Sequence, residues 1–224
     1  MFLLPVLDIL VTQFVTGLKA ELPSNASIVN LCKQQDRSGL KDATTLGLER
    51  VRGFLQQLFD VVSEGCGEDL RKISGRGVYR GKEMTDERIE KVVRSGVRRQ
   101  IEAEVYVPLR SLLSRVTVNA YRREDVEIGK QLQVLKEMPQ GFYNIPPNLQ
   151  SPSGYGRAST MLAKGIGKST LPADKLDAIV GSAGAIVRIF KEEKGEGGDS
   201  LGADDFLPIF INCVVNSGLD RMIR

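Results

Sequence analysis

The chain has 224 residues, of which 42% are hydrophobic and 26% charged, and its formal net charge is +3. This composition suits a globular protein with its own core, and the dispersed basic residues give no electrostatic footprint for nucleic acid or an anionic membrane. Histidine is absent and the three cysteines, Cys32, Cys66 and Cys213, are widely spaced, which excludes Ser-His and Cys-His nucleophile pairs, a disulfide framework and a thiolate or histidine metal centre.

Residues 1–18 are strongly apolar but include Pro5, Asp8 and Gln13, with no basic residue ahead of them. That pattern fits neither a signal peptide nor a membrane span and predicts a buried helix or a ragged gene-model start. Residues 24–45 are polar and turn-rich, and predict a linker. Asn25-Ala26-Ser27 is a glycosylation sequon, without meaning in a cytosolic protein. Leu48, Val51, Leu55, Leu58 and Val62 recur at three- and four-residue steps and predict one helix stripe, ended by Gly65 and Gly67. Residues 73–82 are glycine-rich and basic, and predict a flexible loop; without interleaved aromatics the run does not read as an RNA site. The expected division is therefore a helical region and linker over 1–82, then a second domain over 83–224.

Thr85 is the expected N-cap of the longest helical pattern. Ile89, Val93, Val97, Ile101, Val105, Leu109, Leu112 and Val116 keep one face apolar, with Pro108 expected to kink or divide the helix. After a break at 121–123, Val126, Ile128, Leu132 and Leu135 predict a short helix. Residues 139–153 hold four prolines and predict an irregular connection, and 155–164 a further helix. Pro172 opens the next helix, whose expected buried face is Leu176, Ile179, Val180, Ala183, Ile186, Val187 and Phe190. A charged, glycine-rich loop over 191–202 leads to a last helix from Asp204. Its run of Phe206, Leu207, Ile209, Phe210, Ile211, Val214 and Val215 is apolar nearly all round, predicting a central position, with Gly218 as the stop. No stretch sustains two-residue alternation, so the expected fold class is all-α.

Two motifs invite a chemical reading. Gly165-Ile166-Gly167-Lys168-Ser169-Thr170 is phosphate-loop-like, but Leu162 stands where that motif needs its first glycine, and no strand pattern precedes it. A glycine-terminated helix and turn is the expectation there, and no cofactor is implied. Asp204 and Asp205 open the last helix, where an acid ordinarily caps free N–H groups and favours the helix dipole. Two acids stand where one cap would serve, and they head a helix too apolar to be peripheral. That arrangement suits a rigid, protruding carboxylate. Cys213 lies in the apolar run and is expected to be an inert buried thiol.

Pro172-Ala173-Asp174-Lys175-Leu176, a helix, a loop, then Ala203-Asp204-Asp205-Phe206-Leu207-Pro208-Ile209 resembles the vacuolar protein sorting nine domain, which catalyses nucleotide exchange on early-endosomal Rab GTPases. The resemblance is specific over 171–218 and looser back to about residue 87, through Glu104-Val105-Tyr106-Val107-Pro108-Leu109 and the segment 140–147. Residues before Gly81 resemble the helical extension that often precedes this domain. The resemblance implies a helical, layered exchange-factor domain behind an N-terminal helical extension, in a cytoplasmic protein peripheral to endosomal membranes whose partner is a small Rab-type GTPase. Members insert the first Asp of the motif into the nucleotide site, which by position is Asp204. Asp205 is left as cap or dipole partner, and Pro208 is expected in the first helical turn. Phe206, Leu207 and Phe210 are expected in the core.

The family also has a tyrosine, followed three residues later by a threonine, which packs on the GTPase switch region. No Tyr-x-x-Thr follows Asp204 here, and Asp220 stands where the family has a proline. The ending at 220–224 therefore reads as a truncation or read-through, and an apolar last helix without its neighbours predicts self-association or an adaptor. The alternative expectation is a non-catalytic Rab-binding or scaffold protein.

Overall fold

The computed structural model describes residues 3–34, 37–65, 78–79, 82–83, 86–195 and 201–219. The fold is all-α. Its helices are α1 (Leu3–Glu21), α2 (Asn25–Lys33), α3 (Arg37–Gly65), α4 (Asp86–Ala120), α5 (Arg122–Lys136), α6 (Gly156–Lys168), α7 (Pro172–Lys194) and α8 (Ala203–Asn216). The only extended pairing among the described residues joins β1 (Val78–Tyr79) and β2 (Lys82–Glu83), an antiparallel pair of two residues each. It overlaps the end of the loop expected over 73–82, the rest of which lies outside the described residues, as does the expected cap Thr85. The chain divides into two compact units, Met1–Ala120 and Tyr121–Arg224, so α4 packs with the N-terminal helices.

In the first unit α3 lies along α4, with α1 and α2 against them. Gly47 meets Leu113, and Arg98 lies over the Phe59 ring at 5.5 Å, so α3 and α4 run antiparallel. The core joins Val15 and Leu18 of α1 and Leu22 just after it, Val51, Leu58 and Val62 of α3, and Ile101, Val105, Leu109 and Leu113 of α4. One face of α1 is thus buried while Val6, Ile9 and Leu10 stay exposed. Leu48, expected in the α3 stripe, is also exposed. The linker expected over 24–45 is helical instead over 25–33 and 37–45. Ser24 accepts the Ser27 N–H at 3.2 Å as the cap of α2, Ile28 and Leu40 are buried, and Thr44 returns its hydroxyl to the Leu40 carbonyl at 2.9 Å. Helix α4 runs unbroken through Pro108 for 35 residues. Pro108 is exposed, so its ring faces water rather than the core.

In the second unit α6 and α7 form an antiparallel hairpin. Gly165 sits against Ala178, Ser182 donates its hydroxyl to the Ala158 carbonyl at 3.0 Å, and Arg157 pairs with Glu192 at 2.6 Å. A Cβ on Gly165 would overlap the Ala178 side chain, so this glycine of the phosphate-loop-like motif serves a close helix contact. The motif's Ser169 hydroxyl donates to the Gly165 carbonyl at 2.5 Å. Between α5 and α6 the chain makes two 3-10 turns, Gln140–Tyr143 and Pro147–Leu149. Tyr155 then enters α6 at φ 56°, a left-handed conformation unusual for a residue with a Cβ. Its buried ring holds it there: the phenol donates to the Leu149 carbonyl at 2.7 Å and its N–H to Ser151 Oγ at 3.3 Å.

The buried face of α7 is Ser182, Ala185, Ile186, Ile189 and Phe190. That corrects the expected face, because Leu176 and Val180 are 60% and 62% exposed and Ile179 and Val187 are exposed as well. Small residues at Gly165, Ala178 and Gly181 draw α6 onto the less apolar side of α7, and the aliphatic side is left outward.

Candidate functional site

Helix α7 ends at Lys194, with Gly195 as its C-cap at φ 82°, and the chain returns at Leu201 and Gly202. Gly202 is the N-cap of α8, in extended conformation (φ −68°, ψ 163°), and offers no side chain to the free N–H groups of the first turn. Its carbonyl takes the Phe206 N–H at 2.9 Å, which starts the helix. Asp204 and Asp205 therefore occupy the second and third helical positions, where a carboxylate is favoured by the dipole.

The two acids differ in direction. At 100° per residue, Asp204, Leu207 and Ile211 share an arc of about 60°, while Asp205 projects over the side that carries Ile209 and Asn212. Asp204 is exposed, whereas Asp205 is half-buried, with Oδ2 3.4 Å from where a Gly202 Cβ would stand. Neither carboxylate has a hydrogen-bond or ion-pair partner among the described residues. Asp204 thus heads an exposed apolar strip in which Leu207 and Ile211 are 58% and 45% exposed. The strip ends at Val215, which is buried and forms, with Leu219 and with Val126 and Leu132 of α5, the wall of a groove.

Three expectations need correction here. The last helix is not buried all round: Ile209, Asn212, Cys213 and Val215 are buried, and the strip from Asp204 is open. Leu207 belongs to that strip, while Phe206 and Phe210 stack at 5.7 Å and pack against the core as expected. Pro208 is the sixth residue of the helix, in its second turn. Lacking an N–H, it cannot bond the carbonyl four residues back, and that carbonyl belongs to Asp204. Both the side chain and the main-chain oxygen of Asp204 are thereby left without a helical partner. Proline spacing from Asp204 was present in the sequence, but its meaning depended on where the helix begins.

The expectations for Gly218 and Cys213 stand. Gly218 follows α8 at φ 73°, a left-handed stop. Cys213 is fully buried, and burial pushes its thiol up to about 11, opposed in part by the Ser159 hydroxyl, so the thiolate nucleophile is suppressed. Cys32 is exposed and donates to Asn119 Oδ1 at 3.5 Å. Among the described residues no group of acids and cysteines could hold a metal ion, and no helix is long and apolar enough to cross a membrane. No family model matches the chain, and no curated protein matches its sequence.

Proposed function

We propose that the chain is a guanine-nucleotide exchange factor for an endosomal Rab-type GTPase, with Asp204 as the acid that enters the nucleotide site. The observation behind this reading is the separation of the two acids: Asp204 is exposed at the head of an apolar strip, while Asp205 turns back toward Gly202. In this reading the N-terminal helices are the family's helical extension, and the C-terminal ones its layered exchange-factor domain. The protein is cytoplasmic and meets endosomal membranes through its GTPase.

The chemistry is electrostatic competition. A carboxylate brought beside the magnesium and the phosphate-loop lysine of the GTPase takes over counter-charge that the nucleotide otherwise holds. Two unit charges about 4 Å apart at an effective dielectric near 20 interact by about 4 kcal/mol, which corresponds to about a thousandfold loosening. No covalent bond forms; the nucleotide-free state is stabilised by differential binding. Leu207 and Ile211 supply an apolar surface behind the acid, Asp205 balances the helix dipole, and Pro208 fixes the backbone and frees the Asp204 carbonyl.

Release of mant-GDP from a panel of endosomal Rab proteins tests the proposal. The wild-type chain should accelerate release from at least one, Asp204→Ala should lose that acceleration by up to about a thousandfold, and Asp205→Ala should keep most of it. Full activity in Asp204→Ala would refute the assigned role. Binding to the nucleotide-free GTPase without accelerated release would replace the exchange reading with the scaffold reading. Failure of the folded chain to bind any nucleotide-free Rab would remove both.

A further inference from the structure

A cavity of about 620 Å³ in the second unit, lined by Gln140, Ser153, Ser159, Thr160, Asn212 and Asn216 among others, holds a hydrogen-bonding group that the fold does not use. Asn216 Nδ2 donates to the Asn212 carbonyl at 2.9 Å and to Asn212 Oδ1 at 3.0 Å. A main-chain carbonyl can only accept, so the amide of Asn216 must present its NH2 there. The Asn212 atom it also meets must then be the oxygen. Asn212 Nδ2 is thereby turned away from Asn216, on a residue that is 2% exposed and lines the cavity.

Ser159, from α6, reaches the same cavity. It is 4% exposed, and its hydroxyl has no nitrogen or oxygen partner among the described residues; its neighbour is the thiol of Cys213, a weak partner. The rest of the lining is partly committed. Gln140 spends both ends of its amide on the main chain of Ser151, at 3.0 and 2.8 Å, and Ser153 donates to Glu193 at 2.7 Å. A buried polar group left unbonded costs about 1–3 kcal/mol, so the Ser159 hydroxyl, in a cavity that Asn212 of another helix also lines, calls for a partner. The volume fits a small ligand as well as solvent.

The chemistry of that partner follows from the walls. The side chains that line the cavity are uncharged, and the Glu193 carboxylate behind Ser153 opposes an anion. The N–H groups of Asn212 Nδ2 oppose a cation and ask for an acceptor. The Asn216 carboxamide oxygen and the Thr160 hydroxyl can receive a donor beside it. We propose that this cavity binds a neutral amide group, its carbonyl taken by Asn212 Nδ2 and Ser159 Oγ and its N–H by the α8 side. The site is independent of Asp204 and of the exchange reading.

The test is a titration followed by the side-chain amide NMR resonance of Asn212, with N-methylacetamide, acetyl-triglycine amide and sodium acetate as probes. Both amides should give saturable shifts, with acetate weaker by about tenfold or more. Ser159→Ala, which leaves the α6 backbone unchanged, should weaken amide binding by about fivefold to tenfold. Tighter binding of the triglycine would identify a peptide as the source of the amide, and equal binding a small molecule; either supports the site. Shifts that never saturate, binding to Ser159→Ala as tight as to the wild-type chain, or preference for acetate would each overturn it.

Discussion

The two units solve burial in different ways. In the first, the buried side chains are aliphatic stripes, and the one buried polar residue among the described residues, Thr44, bonds a carbonyl of its own helix. In the second, Ser151, Ser159, Ser182 and Asn212 are all buried, and Ser182 and Ser151 tie together segments far apart in sequence. The first core is held by area and shape, which are non-directional; the second adds directional bonds that fix one arrangement of short helices and turns. Both sites discussed above lie in the second unit, where polar groups are placed as well as buried.

The largest expected effect tests the aliphatic core. Leu109 is fully buried in the middle of α4, and Leu109→Ala should cost about 2–5 kcal/mol in urea unfolding, through lost transfer energy and a residual cavity. Amide hydrogen exchange should show protection falling first across α1, α3 and α4. An equal fall across residues 121–219 would show that the two cores unfold as one, and would dissolve the contrast.

Alkaline pH should act mainly on the second unit. Burial pushes the Tyr155 phenol up to about 12, with Glu193 adding to the rise, and the Cys213 thiol up to about 11; Tyr143 is raised by burial as well. In the first unit Tyr106 is raised by burial against the pull of Arg110. Each group is neutral when protonated and holds its proton to higher pH in the folded state than its ordinary value of 9.0 or 10.0 allows in the unfolded one. Through Cys213 and Tyr155 the folded chain therefore binds more protons between pH 9 and 12, and stability present below that window is lost as pH rises through it, at up to about 1.4 kcal/mol per pH unit for each of these two groups. Cys213→Ala should remove the portion between pH 9 and 11. An unchanged slope in that variant would assign the loss elsewhere.

Gly165→Ala probes the close contact of α6 and α7. The added methyl must displace Ala178, next to the main chain of α7, and should destabilise the second unit by about 1–3 kcal/mol through overpacking. Restoration by the double variant Gly165→Ala with Ala178→Gly would show that the contact itself is responsible, since coupled neighbours are not additive.

What was legible from sequence follows the same division. The long stripe Val97, Ile101, Val105 and Leu109 on α4 was readable because a helix of that length repeats its signal over many turns. Helix α2 was missed because its nine residues include one buried side chain, Ile28, and its start is marked by the Ser24 hydroxyl rather than by a stripe. On α7 the apolar positions outnumber what one neighbour can cover, and the packing face was chosen by small residues, Ala178 and Gly181, whose meaning depends on a partner helix. The pair Asp204-Asp205 was visible as a motif, but their different directions required the helix start at Ala203. The unspent hydroxyl of Ser159 could not be read at all, because it is defined by what the other helices fail to offer it.

The smallest effect is also the cleanest control on that comparison. Gly53 lies inside α3 with nothing within 4 Å of where its Cβ would stand. Gly53→Ala removes backbone freedom from the unfolded chain and improves helix propensity without touching a neighbour, so it should stabilise the first unit by about 0.5–1 kcal/mol. The same chemical change at Gly165 has the opposite sign, and the difference comes entirely from Ala178. If Gly53→Ala were destabilising, α3 would have to meet another surface at that position, and the first unit could not be held by stripes on one face alone.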